Sequence, residues 1–139
     1  MRSLIPSVLL FASLLANDTH VAVSAPQPAC GQQGRPYTRT TLYFGLASQA
    51  GDITESQWAD FLAASVTPRF PQGLTVWEAN GQWRGPGGGI TRERAKVLLL
   101  VHDGSPGVGA AVHELVEIYK RTFRQDSVLW ENASVCATF

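Results

Sequence analysis

The residues with chemical reach in this sequence are few. They are His102 beside Asp103, His113, Arg69 between two prolines, Cys30, Cys136 and the run Gly85-Pro86-Gly87-Gly88-Gly89. His102 as a general base needs a positioned partner and a cleft; the plainer reading is a solvated strand end. His113 falls among charged residues and reads as solvated. A phosphate cradle would require Gly-Lys-Ser/Thr after the glycine run and a strand-to-helix step around it. Neither is present, so the run reads as a hairpin loop. No Gly-x-Ser-x-Gly elbow occurs, and the Asn132-Ala133-Ser134 sequon bears only on a eukaryotic source. With His20 in a leader and both cysteines otherwise engaged, a zinc or iron site lacks ligands. No metal and no cofactor is expected.

Arg69 sits in Thr67-Pro68-Arg69-Phe70-Pro71, a stiff corner from which a guanidinium can offer a two-pronged fork to a carboxylate. That carboxylate belongs either to a ligand or to Glu93 or Glu78 of the same chain. The internal ion pair is the expected one.

The totals bound the rest. The chain has 139 residues, enough for one domain. Its 11 basic and 11 acidic residues balance, which argues against nucleic acid or an anionic membrane as partner. Arg2 opens the chain, residues 4–16 are apolar, and Ala22-Val23-Ser24-Ala25 supplies small residues. This reads as a secretory signal peptide over residues 1–25, cut after Ser24 or Ala25. Its apolar run is shorter than the roughly 20 residues a membrane span needs. The mature protein is expected to be exported, periplasmic or extracellular, with no transmembrane span.

In an oxidising compartment, two cysteines without metal-ligand company read as one disulfide, Cys30 to Cys136. A rival reading makes Cys30 a lipid attachment site, because Ala29 and Gly31 flank it. Against this, the expected leucine three positions earlier is missing.

The elements that must position these residues follow in chain order. Residues 26–37 form an extended arm without periodicity. Residues 39–46 alternate, with Leu42, Phe44 and Leu46 on one face and Thr41 and Tyr43 on the other, and predict a strand. Thr54 and Gln57 form a capping box for a helix over 54–66, ended by Pro68. Leu74 to Glu78 predicts a second strand, and Asn80-Gly81 between Trp77 and Trp83 predicts a two-residue hairpin. Residues 96–102 are almost wholly apolar and predict a strand buried in mid-sheet. A helix follows over 108–124 with Val108, Ala111, Val112, Leu115, Ile118, Tyr119, Thr122 and Phe123 inward. The last strand is expected in two pieces, broken at Glu131-Asn132.

The order β-α-β-β-α-β predicts an α+β, ferredoxin-like domain over 38–139, an antiparallel sheet with two helices on one face. In that arrangement the first and last strands are antiparallel neighbours. Cys30 and Cys136 then come to the same end of the sheet, as a disulfide requires.

One sheet face is left without helices, and an apolar face on an exported protein marks an interface or ligand site. Tyr43, Leu98 and Leu100 are expected there. The ligand-binding candidates are Tyr43, Arg69, Trp77, Lys96 and His102; no catalytic residue is assigned.

Several blocks resemble a known family. They are Leu42-Tyr43-Phe44-Gly45, Trp58 and Phe61, Thr67-Pro68-Arg69-Phe70-Pro71, Gly73-Leu74-Thr75-Val76, Gly81-Gln82-Trp83, Glu93, Lys96, Tyr119, Phe123, residues 125–129, Cys136 and Phe139. Together they resemble the bacterial exported proteins called domain of unknown function 3574, over nearly all of the mature chain. The resemblance implies the compartment and the domain extent, and no catalytic residue. Two functional classes follow. One is an exported module that binds a small molecule, an envelope component or a second copy of itself as a homodimer. The other is a cofactorless enzyme with an apolar pocket on the open sheet face, an analogy of fold alone.

Overall fold

The computed structural model describes residues 30–31, 34–48, 50–84 and 87–139. The expected signal peptide and the first residues of the arm, 26–29, lie outside them. The elements are β1 (Arg35–Gly45), α1 (Glu55–Phe61), a π-helical turn (Leu62–Val66), β2 (Thr75–Arg84), β3 (Ile90–His102), α2 (Pro106–Phe123) and β4 (Leu129–Ala137). The fold is α+β. Its four-stranded sheet has the order β2-β3-β1-β4, and each neighbouring pair is antiparallel. Among the described residues no helix is long and apolar enough to cross a membrane.

Thr54 starts α1 as expected. The Gln57 amide N–H donates to Thr54 Oγ1 at 3.2 Å, and the Thr54 N–H donates back to Gln57 Oε1 at 2.9 Å. The helix widens over its last turn, where the Thr67 N–H donates to the Leu62 carbonyl five residues earlier. Trp58, Phe61 and Val66 from this segment meet Val112, Leu115, Val116 and Tyr119 of α2 over Leu42, Phe44, Leu98 and Leu100 of the sheet. Both helical segments therefore cover the same sheet face. Phe44, Phe61 and Tyr119 form an aromatic centre with ring centroids 4.6 to 5.7 Å apart. The Tyr119 hydroxyl donates to the Gly45 carbonyl at 2.9 Å.

Several expectations need correction. β2 runs straight through Asn80 and Gly81, which pair with Arg94 and Glu93, and neither has positive φ. The ladder goes on to Arg84 opposite Ile90, so the turn falls in the glycine-rich run, where Gly88 has φ +80°. Further cross-strand pairs outweighed the local turn preference of Asn-Gly. β4 is unbroken, since Glu131 and Asn132 pair in register with Thr41 and Thr40. β1 begins at Arg35, inside the stretch read as an arm. On α2, Val116 joins the core and Thr122 is exposed.

The largest correction concerns the phase of β3. Leu98 and Leu100 lie opposite Leu42 and Thr40, under the helices and fully buried. They take no part in the open face.

Cys30 and Cys136 are joined in a disulfide with Cα atoms 5.4 Å apart, within the ordinary range. It closes the chain across 106 residues at the shared end of β1 and β4.

Candidate functional site

Under the helices the sheet changes character along its length. Its middle is apolar, but towards the start of α2 it presents Thr38 and Thr40 from β1, His102 from β3, and Asn132 and Ser134 from β4. The register places these on one face: Thr38 opposite both His102 and Ser134, Thr40 opposite Asn132. Ser105, Gly109 and Val112 of α2 and its cap roof this polar floor, and Trp130 forms a wall. The cleft between them is open to solvent on one side and has a volume of about 360 Å³.

The hydrogen bonds on this floor have a defined direction. The Gly104 backbone N–H donates to His102 Nδ1 at 3.1 Å, so Nδ1 carries no proton. The proton is on Nε2, which donates to Thr40 Oγ1 at 2.8 Å. Thr40 in turn donates to Asn132 Oδ1 at 2.6 Å. A backbone N–H cannot be reversed, and it sets the polarity of the whole chain. Burial pulls the His102 pKa below its ordinary value, partly opposed by the Asp103 carboxylate, which agrees with a neutral ring. Gly104 is required at its place by φ +74° and because an added Cβ would lie 2.9 Å from Thr38 Oγ1.

A smaller recess of about 200 Å³ lies on the other side of His102 and includes Arg69, Gly73 and Val108. Arg69 makes the two-pronged ion pair expected of it, but with Glu114 of α2 at 2.9 and 3.3 Å, and not with Glu93 or Glu78. It also donates to the Ser65 carbonyl at 2.8 Å. Its hydrogen bond and charge hold the Glu114 carboxyl below its ordinary pKa. The fork is thereby occupied within the chain, bracing the corner against α2.

Lys96 stands apart, at the α1 side of the sheet. Its Nζ donates to Glu55 and Glu78, both at 2.8 Å, and Arg94 reaches the same two carboxylates. The hydrogen bonds to Glu55 and then Glu78 raise the Lys96 pKa against the opposing effect of burial. This network ties the start of α1 to β2 and β3.

Tyr43 and Trp77 lie together on the face without helices. Across the four strands runs one row, Trp77 opposite Val97, Val97 opposite Tyr43, Tyr43 opposite Leu129. Val97 is 1% exposed, whereas Trp77 is 43% and Leu129 66% exposed. The Tyr43 hydroxyl donates to Glu131 Oε1 at 3.1 Å, and that bond raises its pKa, with smaller contributions from burial and the Glu131 charge.

The five candidates thus divide among three places: Tyr43 and Trp77 on the open face, Arg69 and His102 around the start of α2, and Lys96 in its own network. Sequence reading missed Thr40, Asn132 and Ser134. The signal was there in the alternation of Trp130, Asn132 and Ser134, but Glu131-Asn132 reads as a break when β1 is not yet beside it.

Among solved structures, the fold is similar to a phage SAM lyase in complex with S-methyl-5'-thioadenosine. The TM-score is 0.56 at 15% identity, over 73% of this chain and 90% of that one. The apo state of a phage SAM lyase matches with a TM-score of 0.51 at 15% identity, over 75% and 92%. CutA from Synechococcus elongatus PCC7942 matches with 0.50 at 12% identity, over 76% and 82%. At these identities the likeness is one of fold. No curated protein matches the chain. The profile of the family described as "Protein of unknown function (DUF3574)" matches residues 39–139, which contain β2, β3, β4 and both helices, and the chain belongs to that family.

Proposed function

We propose that this chain is an exported binding module that pairs with a second copy of itself through the uncovered face of a ferredoxin-like sheet. The observation that carries the reading is the row Trp77–Val97–Tyr43–Leu129, apolar or aromatic on every strand and exposed at both ends. Trp83, 47% exposed, extends the same face along β2. Four strands about 4.8 Å apart, sharing about eight residues, present roughly 500 Å² in projection. That is the order of the ~800 Å² per partner of a standard interface. An even charge balance opposes pairing little, and closed two-fold dimers are the commonest soluble oligomers. Export is supported by the leader pattern and by the disulfide.

The alternative, a cofactorless enzyme with an apolar pocket on the open face, has less behind it. His102 and the cleft beside it lie on the covered face, away from Tyr43 and Trp77.

Light scattering on the oxidised protein at micromolar concentration tests the proposal. A dimer mass is expected, falling to a monomer in Leu129→Glu and Trp77→Glu, with circular dichroism unchanged. A monomer mass for the unaltered protein, or a dimer that survives both substitutions, removes the proposed interface.

A further inference from the structure

We propose that the cleft between the start of α2 and the polar end of the sheet is a binding site for a neutral sugar. It lies on the covered face, so it stands independently of pairing through the open one.

The first ground is the composition of the floor. A sheet face packed under helices is ordinarily apolar, as this one is at Leu42, Phe44, Leu98 and Leu100. At the α2 end it carries hydroxyls and an amide instead: Thr40 is buried, Thr38 is half-buried, and Asn132 and Ser134 on the edge strand β4 are exposed where the helix leaves the sheet open. The Thr38 hydroxyl, the Ser134 hydroxyl and the Asn132 amide nitrogen have no partner among the described residues, and all three border the cleft. Thr38 and Ser134 face each other across the β1–β4 ladder. Asn132 and Ser134 are two residues apart on one strand face, about 6.6 Å at the usual rise. A ring bearing neighbouring hydroxyls, each both donor and acceptor, fits such a grid.

The second ground is the orientation of Asn132. The backbone N–H of Gly104, acting through His102 and Thr40, engages Oδ1. The amide N–H groups are thereby left to face outward as donors. Without that relay the amide could present either end.

Space and charge complete the case. The helix does not fill the volume above the floor: Gly109 borders the cleft, and a Cβ placed there meets nothing within 4 Å. Glycine inside a helix costs about 1 kcal/mol relative to alanine, so its presence keeps the cleft open at a cost in helix stability. The volume of about 360 Å³ is that of a small-ligand site. Apart from the neutral His102, no titratable side chain among the described residues lines it, so no side-chain charge there selects an anion or a cation. Trp130, 37% exposed, offers an aromatic wall to the apolar face of a sugar ring.

The test is an NMR titration of the oxidised protein with glucose, N-acetylglucosamine and maltose, and with glucuronate as the anionic comparison. Saturable shifts at the Thr38, Gly109 and Ser134 amides and the Trp130 indole N–H are expected with a neutral sugar, and weaker ones with glucuronate. Asn132→Asp keeps an acceptor for Thr40 but loses the outward donor, and should weaken binding about tenfold. Gly109→Leu fills the cleft from a position where leucine favours the helix, so the variant should stay folded and lose binding. The proposal is overturned if no neutral sugar gives saturable shifts at tens of millimolar. Shifts that persist in Gly109→Leu, or glucuronate binding as well as glucose, overturn it equally.

Discussion

The Thr40 hydroxyl donates to Asn132 Oδ1 across 2.6 Å while accepting from His102, so one threonine joins three strands beneath the helices. Thr40 is 1% exposed. A hydroxyl so placed destabilises the fold unless it is bonded, and here it both donates and accepts. The same pair marks the boundary between the apolar middle of the covered face and its polar end.

Stability should depend on His102 in a defined pH window. Burial lowers its folded pKa below the ordinary value near 6.5, so the unfolded chain binds the extra proton more readily. The contribution is present above about pH 6.5 and is lost as pH falls through that value towards the folded pKa. The urea midpoint should therefore drop between about pH 7.5 and about pH 5.5, and should drop less in His102→Gln. Glu78 and Glu114, whose pKa values are lowered from 4.5, lose their contributions only in more acidic solution. Equal slopes in the two proteins over the upper window would show that His102 is not the group responsible.

Reduction of the Cys30–Cys136 disulfide should cost about 2–5 kcal/mol, because it frees a loop spanning 106 residues in the unfolded chain. Intact mass before and after alkylation establishes the bond, and urea unfolding with and without reductant measures its effect. Two free thiols in the purified protein, or coincident unfolding curves, would count against it.

Trp58→Ala should destabilise far more than Trp83→Ala. Trp58 is 5% exposed, with its ring centroid 5.5 Å from that of Phe44, whereas Trp83 is 47% exposed. Truncating the buried ring costs roughly 3–5 kcal/mol, while an exposed position usually stays within about 0.5 kcal/mol. Equal shifts in urea midpoint would contradict the packing described for α1.

Leu98→Glu and Leu129→Glu should separate folding from pairing. Leu98 is wholly buried against Leu42 and Val76, so a carboxylate there should cost more than about 4 kcal/mol and abolish the cooperative transition. Leu129, 66% exposed on the open face, should tolerate the change with a folded protomer and a cooperative transition, losing only the stability that pairing adds. Thermal unfolding followed by circular dichroism distinguishes the two; a folded Leu98→Glu protein would mean that the phase of β3 is wrong.

What could be read from the chain without its partners was whatever depends on near neighbours. The Thr54–Gln57 capping box, the stop at Pro68, the inward stripe of α2 and the element order all follow from residues a few positions apart. The cysteine pairing also followed, because element order alone brings the ends of β1 and β4 together. The ion pair of Arg69 was legible as a kind of contact, but its partner Glu114 was not, since 45 residues separate them.

The rest required strands to be laid side by side. Residues 95–101 are apolar at both parities apart from Lys96, so alternation carries no phase, and only the register of Leu98 against Leu42 sends Leu98 and Leu100 inward and Val97 outward. Asn80-Gly81 has a strong local turn preference, yet the ladder through Trp83 and Thr91 extends past it. Glu131 and Asn132 read together as a polar interruption. In the sheet they point to opposite faces, one to Tyr43 and the other to Thr40. A cross-strand hydrogen bond has no local signature, because the two halves of its geometry lie on segments that meet only when the sheet has formed.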